Sequence, residues 1–173
     1  LVNEVNFSPI TYGCEGLIPA DETWDKSYSP LFKYSWKSVY PALVETAKVK
    51  DVNPFDAILM QYSNPLTGGH VMQTMSASIQ LLPAGFKGKA HKHTGSFVYQ
   101  CAKGKGYSII NGKRFDWKER DIFCVPSWAW HEHHNLSDTE DACLFNFNDL
   151  PVIEKLGLFQ GKVYTENNGH QMI

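Results

Sequence analysis

The chain is 173 residues long, enough for one domain with its own hydrophobic core plus an arm or tail of a few dozen residues. With 43% hydrophobic and 20% charged residues, its composition is that of an ordinary globular protein and excludes wholesale disorder. Sixteen Lys and Arg against 18 Asp and Glu leave a formal charge of −2 with no block of like charge, which argues against a nucleic-acid binder or a polybasic membrane anchor.

In chain order, residues 1 to 35 are punctuated by Pro9, Gly13, Gly16, Pro19 and Pro30, with Trp24, Tyr28 and Phe32 scattered among polar residues, and read as an irregular arm or linker. From Tyr34 to Lys48, Trp36, Val39, Tyr40, Leu43, Val44 and Ala47 recur at helical spacing. Pro41 interrupts that set and is tolerated best in a first turn, so one short helix is expected to begin near it. The turn cluster Asn64-Pro65-Leu66-Thr67-Gly68-Gly69 then opens a different region. Met75–Leu82, Ser96–Ala102, Gly106–Ile110, Lys113–Trp117, Ile122–Pro126 and Ala142–Asn148 are short β-branched and aromatic runs bounded by turn residues. Asn111-Gly112 between two of them suits a type I′ hairpin, because both residues tolerate positive φ. Many short strands at close spacing imply an all-β, antiparallel sandwich or small barrel. Asp149–Leu158 resembles a short helix with Pro151 in its first turn and Gly157 near its stop, and the last dozen residues read as a polar tail. The division expected is an arm or interdomain linker with a short helix over residues 1–50, and a barrel with a C-terminal helix and tail over 51–173.

No apolar run approaches the roughly 18 residues that span a bilayer, and the N-terminus lacks the basic-then-apolar order of a signal peptide, so a cytoplasmic location is expected. Cys14, Cys101, Cys124 and Cys143 form no CxxC pair and are read as reduced thiols rather than a disulfide framework. The start at Leu1 rather than Met suggests a fragment or a processed product.

The chemistry concentrates in histidine. Five of the seven fall in two segments, His91 and His93 in GKAHKHTG, and His131, His133 and His134 in PSWAWHEHHN. On a strand, residues i and i+2 share a face, so His91 and His93 can aim both imidazoles at one point in a barrel. His131, after a hairpin and another strand, can return beside them, because antiparallel neighbours pack side by side. Three neutral nitrogens on one side of an ion leave positions open for substrate or dioxygen. The plainer reading, surface or structural histidines, stands against an HxH taken alone. His70, His134 and His170 have no partner spacing and read as ordinary. Trp117, Trp128 and Trp130 suit an aromatic pocket wall, although core packing fits at least two of them better.

The surroundings of these histidines add a resemblance. Gly85 before His91, and Asp121, Pro126, Trp128, His131 and Asn135 in the second segment, resemble the two cupin motifs, with Trp128 in place of the usual glycine and Phe97 in place of the usual glutamate after HxH. The stretches NPLTGG, QLLPAGFKGKAHKHTGS, FDWKERDIFCVPSWAWHEHHN and LFNFNDLPVIEKLGLF resemble the gentisate 1,2-dioxygenases and their salicylate and hydroxynaphthoate relatives, over about Asn64 to Phe159. The resemblance implies a double-stranded β-helix and one Fe(II) on His91, His93 and His131. It implies cleavage of a hydroxylated aromatic acid by dioxygen, with Gln80 and His133 orienting ligands; a solvent-facing Gln80 and a supporting His133 are the plainer alternatives. Such enzymes usually carry two barrels. This chain looks most like the second, which implies a further cupin barrel and a homo-oligomer as partners. Tyr99 departs from the pattern, because the catalytic barrel there has an arginine able to pair with the substrate carboxylate, and Arg114 and Arg120, the chain's two arginines, lie in or beside the hairpin. The rival expectations are a structural or regulatory barrel without catalysis of its own, and a cupin isomerase or lyase of another small acid.

Overall fold

The structure, a computed structural model, describes residues 6–13, 16–21 and 23–173, so Cys14 lies outside the described residues. Among the described residues Cys101, Cys124 and Cys143 are free thiols, the first and last of them buried.

Among the described residues ten strands form two five-stranded sheets in which every pairing is antiparallel. The first sheet contains β1 (Ile58–Gln61), β2 (Ser76–Leu82), β9 (Ala142–Asn148), β4 (Phe97–Lys103) and β7 (Ile122–Val125), in that spatial order. The second contains β10 (Gly161–Val163), β3 (His91–His93), β8 (His131–Asn135), β5 (Lys105–Ile110) and β6 (Lys113–Lys118). Asn111 and Gly112 take φ of 48° and 74° and close the β5–β6 hairpin with Ile110 opposite Lys113, as a type I′ turn requires.

Two separate cores explain why the strands are richer in apolar residues than a half-solvated sheet would be. Between the sheets, Leu82, Phe97, Tyr99, Cys101, Ile110, Trp117, Val125 and Leu144 pack together. Outside the first sheet, Ile79, Leu81 and Cys143 pack against Leu43 of α2 (Trp36–Val49). The alternation along β2 therefore switches between two buried faces.

Pro41 lies inside α2 rather than at its start. Its side chain is on the exposed face, where water can satisfy the carbonyl one turn earlier that loses its N–H partner. The arm carries a further short helix, α1 (Phe7–Tyr12), and α3 (Leu150–Lys155) follows β9 with Pro151 in its first turn. The C-terminal segment is not a free tail. Lys162 pairs with Lys92 across β10 and β3, and Gln171 hydrogen-bonds back to the second sheet, its Nε2 donating to the Ile109 carbonyl at 2.9 Å. No helix among the described residues is long and apolar enough to cross a membrane.

Candidate metal centre

β3 and β8 are neighbours in the second sheet, and the register sets His91 directly opposite His131. His93, two residues along β3, shares the face of His91. Ring centroids lie 4.3 Å apart for His91 and His131, 4.9 Å for His93 and His131, and 5.4 Å for His91 and His93. Each offers one nitrogen within 4.8 Å of the others. The three histidines picked out by strand spacing thus meet at one point between the sheets.

The donor set suits a cation. His131 Nδ1 lies 3.0 Å from the Ala129 carbonyl and His93 Nδ1 lies 3.1 Å from the Thr94 carbonyl. A carbonyl only accepts, so both Nδ1 atoms carry the proton and both Nε2 atoms present lone pairs. Burial first, and then the neighbouring His91, holds the His93 and His131 imidazoles below the usual histidine range, and hence neutral as ligands must be. His91 Nδ1 is buried without a hydrogen-bond partner, while its Nε2 lies 3.7 Å from Asp56 Oδ1. That carboxylate is a negative charge within reach of a cation on the three rings.

His91 and His93 open onto a cavity of about 660 Å³ whose apolar walls include Phe55, Leu59, Phe97, Leu150 and Phe159. This volume suits a small organic ligand. Gln80 faces it from β2, with Nε2 donating to Asp56 Oδ1 at 3.2 Å and a buried Oε1 that has no partner. His133 sits one layer deeper and does not line the cavity. Its ring is fully buried, 4.7 Å from Tyr99 and 5.8 Å from His131. Ser108 Oγ accepts from Trp117 Nε1 at 3.0 Å and lies 2.7 Å from His133 Nδ1. The serine hydroxyl can donate to Nδ1 or accept from it, depending on the tautomer, and Nε2 is buried without a partner. Burial, then His91, pushes this imidazole down to about 3.

Tyr99 is 2% exposed, lines the cavity and stacks on Phe123 at 5.2 Å, and burial raises its phenol well above the ordinary value. Neither arginine lines the cavity. Arg114 pairs with Asp116 on an exposed strand, and Arg120 is exposed. None of the three tryptophans does either. Trp117 is in the core, whereas Trp128 and Trp130 hold the Nζ of Lys92, itself a lining residue, over their rings.

Residues absent from the sequence reading complete the wall. Asp56 is held by the turn Asn53–Ala57, where Asn53 Oδ1 accepts from the N–H groups of Phe55 and Asp56. Ser78, Asn146 and Asn148 line the cavity from β2 and β9. The alternation in ACLFNFN, with Leu144, Asn146 and Asn148 on one face and phenylalanines on the other, carried that signal, since amides on the inner face of a strand mark a polar wall.

A family model described as "Cupin domain" matches residues 78–147, the stretch containing all three histidines. The chain carries a cupin domain. This cupin is 39% identical over 83% of its length to a 5-aminosalicylate 1,2-dioxygenase of a Comamonas species, covering 38% of that protein. It is 36% identical over 86% of its length to gentisate 1,2-dioxygenase 1 of Aquipseudomonas alcaligenes, covering 42% of that one. Among solved structures, a salicylate 1,2-dioxygenase variant of Pseudoaminobacter salicylatoxidans in complex with gentisate superposes with a TM-score of 0.84. The two are 28% identical, and the match covers 92% of this chain and 45% of the other. These relatives are named 1,2-dioxygenases, and this cupin spans less than half the length of each.

Proposed function

We propose that this chain is one cupin barrel of a gentisate 1,2-dioxygenase-like enzyme, which cleaves the ring of a hydroxylated aromatic carboxylic acid with dioxygen at an Fe(II) held by His91, His93 and His131. The observation that carries this reading is three imidazoles, two of them locked with lone pairs outward, gathered beside an aromatic-walled cavity of about 660 Å³. Imidazole sets with open positions suit iron that handles dioxygen. Bound there, iron supplies the redox centre at which the aromatic acid and dioxygen meet.

The chain's own residues bind and orient. Phe55 stands edge-on to His91 at 5.4 Å and Phe97 lies 4.7 Å from His93, so a flat ring entering the cavity meets apolar surface and displaces water. Gln80 Oε1, buried and unpartnered, accepts a substrate hydroxyl, while its Nε2 is engaged by Asp56. His133 acts as a positioning residue, backing both Tyr99 and His131. We assign residues 51–173 to the barrel and residues 1–50 to an arm that joins it to a second cupin barrel, in keeping with the 38% and 42% of its relatives' length that the chain covers.

A second reading has support of its own. Tyr99 offers a hydroxyl rather than a guanidinium, and Asp56 faces the cavity with a like charge for an incoming carboxylate. Both favour a metal-holding barrel that supports chemistry in another.

The deciding experiment loads the chain anaerobically with Fe(II) and follows oxygen uptake with gentisate, salicylate and 5-aminosalicylate, with His131→Ala as control. Uptake matched by ring-opened product, and absent in the control, is expected. A metal-loaded chain that consumes no oxygen with all three would move the chemistry elsewhere.

A further inference from the structure

β8 reads His131-Glu132-His133-His134, and a strand turns alternate side chains to opposite faces. His131 and His133 point between the sheets. Glu132 and His134 point outward, yet they are not at the surface: Glu132 is 1% exposed and His134 is 4% exposed. The C-terminal segment covers them. Gln171 donates its backbone N–H to Glu132 Oε2 at 3.2 Å, and its Oε1 accepts from the Gly112 N–H at 2.9 Å. This brings His170 onto the same carboxylate.

The geometry points to a second metal site, made by Glu132, His134 and His170 on the outer face of β8, which takes a divalent zinc-class cation and fastens the C-terminal segment to the barrel. His134 Nε2 lies 3.1 Å from Glu132 Oε1, and His170 Nδ1 lies 3.7 Å from Glu132 Oε2. One donor atom from each falls within 4.8 Å of the others. Nitrogen and carboxylate ligands 2.0–2.2 Å from a tetrahedral zinc stand roughly 3.3 Å apart, and the contacts of His134 and His170 with Glu132, one on each carboxylate oxygen, are near that length. His170 completes the set. It belongs to an irregular segment and its side chain is 33% exposed, so it can move inward and still leave a coordination position open to water.

Charge argues in the same direction. A carboxylate removed from water needs a compensating cation, and the ion pairs recorded for Glu132 among the described residues are with these two imidazoles. A carboxylate only accepts, so without a cation His134 Nε2 carries the proton toward Glu132 Oε1; a cation that takes the Nε2 lone pair leaves the proton on Nδ1, which no other group engages. His134 stacks on Tyr107 at 4.5 Å with the rings 4° from parallel, which fixes its plane. The mechanical consequence follows from connectivity. The segment ending in His170 begins with β10, the hydrogen-bonded neighbour of β3, so a cation here ties the strand beside His91 and His93 to the back of the strand carrying His131.

The test is zinc stoichiometry on the metal-stripped chain after equilibration with Zn²⁺ and removal of the excess. Wild type is expected to hold two zinc ions. His93→Ala, Glu132→Gln and His170→Ala are each expected to hold one. Hydrogen exchange gives an independent readout. With Zn²⁺ at 100 times its dissociation constant, amides of residues 161–173 that exchange through release of this segment should slow by about 100-fold in wild type and in His93→Ala, and not in His170→Ala. His170→Ala changes a partly exposed side chain near the end of the chain, so it remains informative even if Glu132→Gln does not fold. One zinc in wild type, or two zinc ions in His170→Ala, would overturn the assignment and leave the cluster as a hydrogen-bonded clamp.

Discussion

Trp128 stands where the cupin motif usually has glycine, and the backbone there keeps the conformation that glycine favours, φ 64°. Its N–H donates to the His93 carbonyl at 2.9 Å, so this strained residue pins the ligand strand. For an L residue the left-handed region costs about 1–2 kcal/mol. Trp128→Ala keeps that cost and Trp128→Gly removes it, while both lose the Lys92 ammonium stacked at 4.6 Å. The glycine variant should therefore be more stable than the alanine variant by about 1 kcal/mol, the reverse of the order at an ordinary strand position. Urea midpoints compare them directly, and an alanine variant of equal or greater stability would show that the strain is relieved elsewhere. At this scale the sequence exposes ligands better than it exposes their surroundings. His91 and His93 are legible because strand period alone puts them on one face. Asp56 is not, because its place in the site depends on a turn closed by Asn53 and on a strand pairing that no local pattern encodes.

The packing of α2 on the first sheet makes the outer core sensitive to alkaline pH. Cys143, with no exposure, lies under that helix beside Ile79 and Leu81. Burial, then the nearby Asp141, pushes its thiol up to about 12, and burial pushes the Tyr62 phenol up to about 12 as well. A raised pKa in the folded state leaves its stability intact below the unfolded value and removes it as pH climbs to the folded one. Between about pH 9 and 12 the unfolded thiol ionises and the folded one does not, at about 1.4 kcal/mol per pH unit. Denaturation midpoints of the wild type should fall steeply over that window, and Cys143→Ala should flatten the fall while costing some packing at pH 7. Equal slopes for the two proteins would mean that the thiol is not the group responsible. The same element shows where sequence patterns stop. The expectation that α2 starts at Pro41 weighs the missing N–H without the solvent that satisfies its partner. β10 shows no alternation at all, because its three residues are exposed and it exists through pairing with β3. β8 is buried on both faces yet carries polar residues throughout, so hydrophobic period could not mark it, whereas β2, β4, β5, β6, β7 and β9 announce themselves by β-branched and aromatic runs between turns.

For the molecule as a whole, the question is whether a barrel with this cavity completes a reaction by itself. The cavity is lined by Tyr99 and by no arginine, and the chain spans 38% and 42% of the two dioxygenases it most usefully compares with. A carboxylate held by a neutral hydroxyl instead of a charged, two-pronged guanidinium gives up about 1.5–3 kcal/mol. That corresponds to roughly ten- to a hundredfold in turnover, before any misorientation of the ring is counted. The iron-loaded chain should therefore cleave gentisate at least tenfold more slowly than a two-barrel relative assayed beside it, by oxygen uptake and by the absorbance of the ring-opened product. Tyr99→Phe separates the two reasons for slowness. If the hydroxyl is the anchor that remains, its removal should lower kcat/KM for gentisate by about a further tenfold while metal content stays unchanged, since Tyr99 is not among the three imidazole ligands. If Tyr99→Phe turns over gentisate as fast as the parent chain, the phenol does not touch the carboxylate, and its role is to stack on Phe123 in the wall of the barrel. Turnover equal to that of the two-barrel relative would instead show that this barrel is a complete active site, with the carboxylate anchored by a group other than arginine.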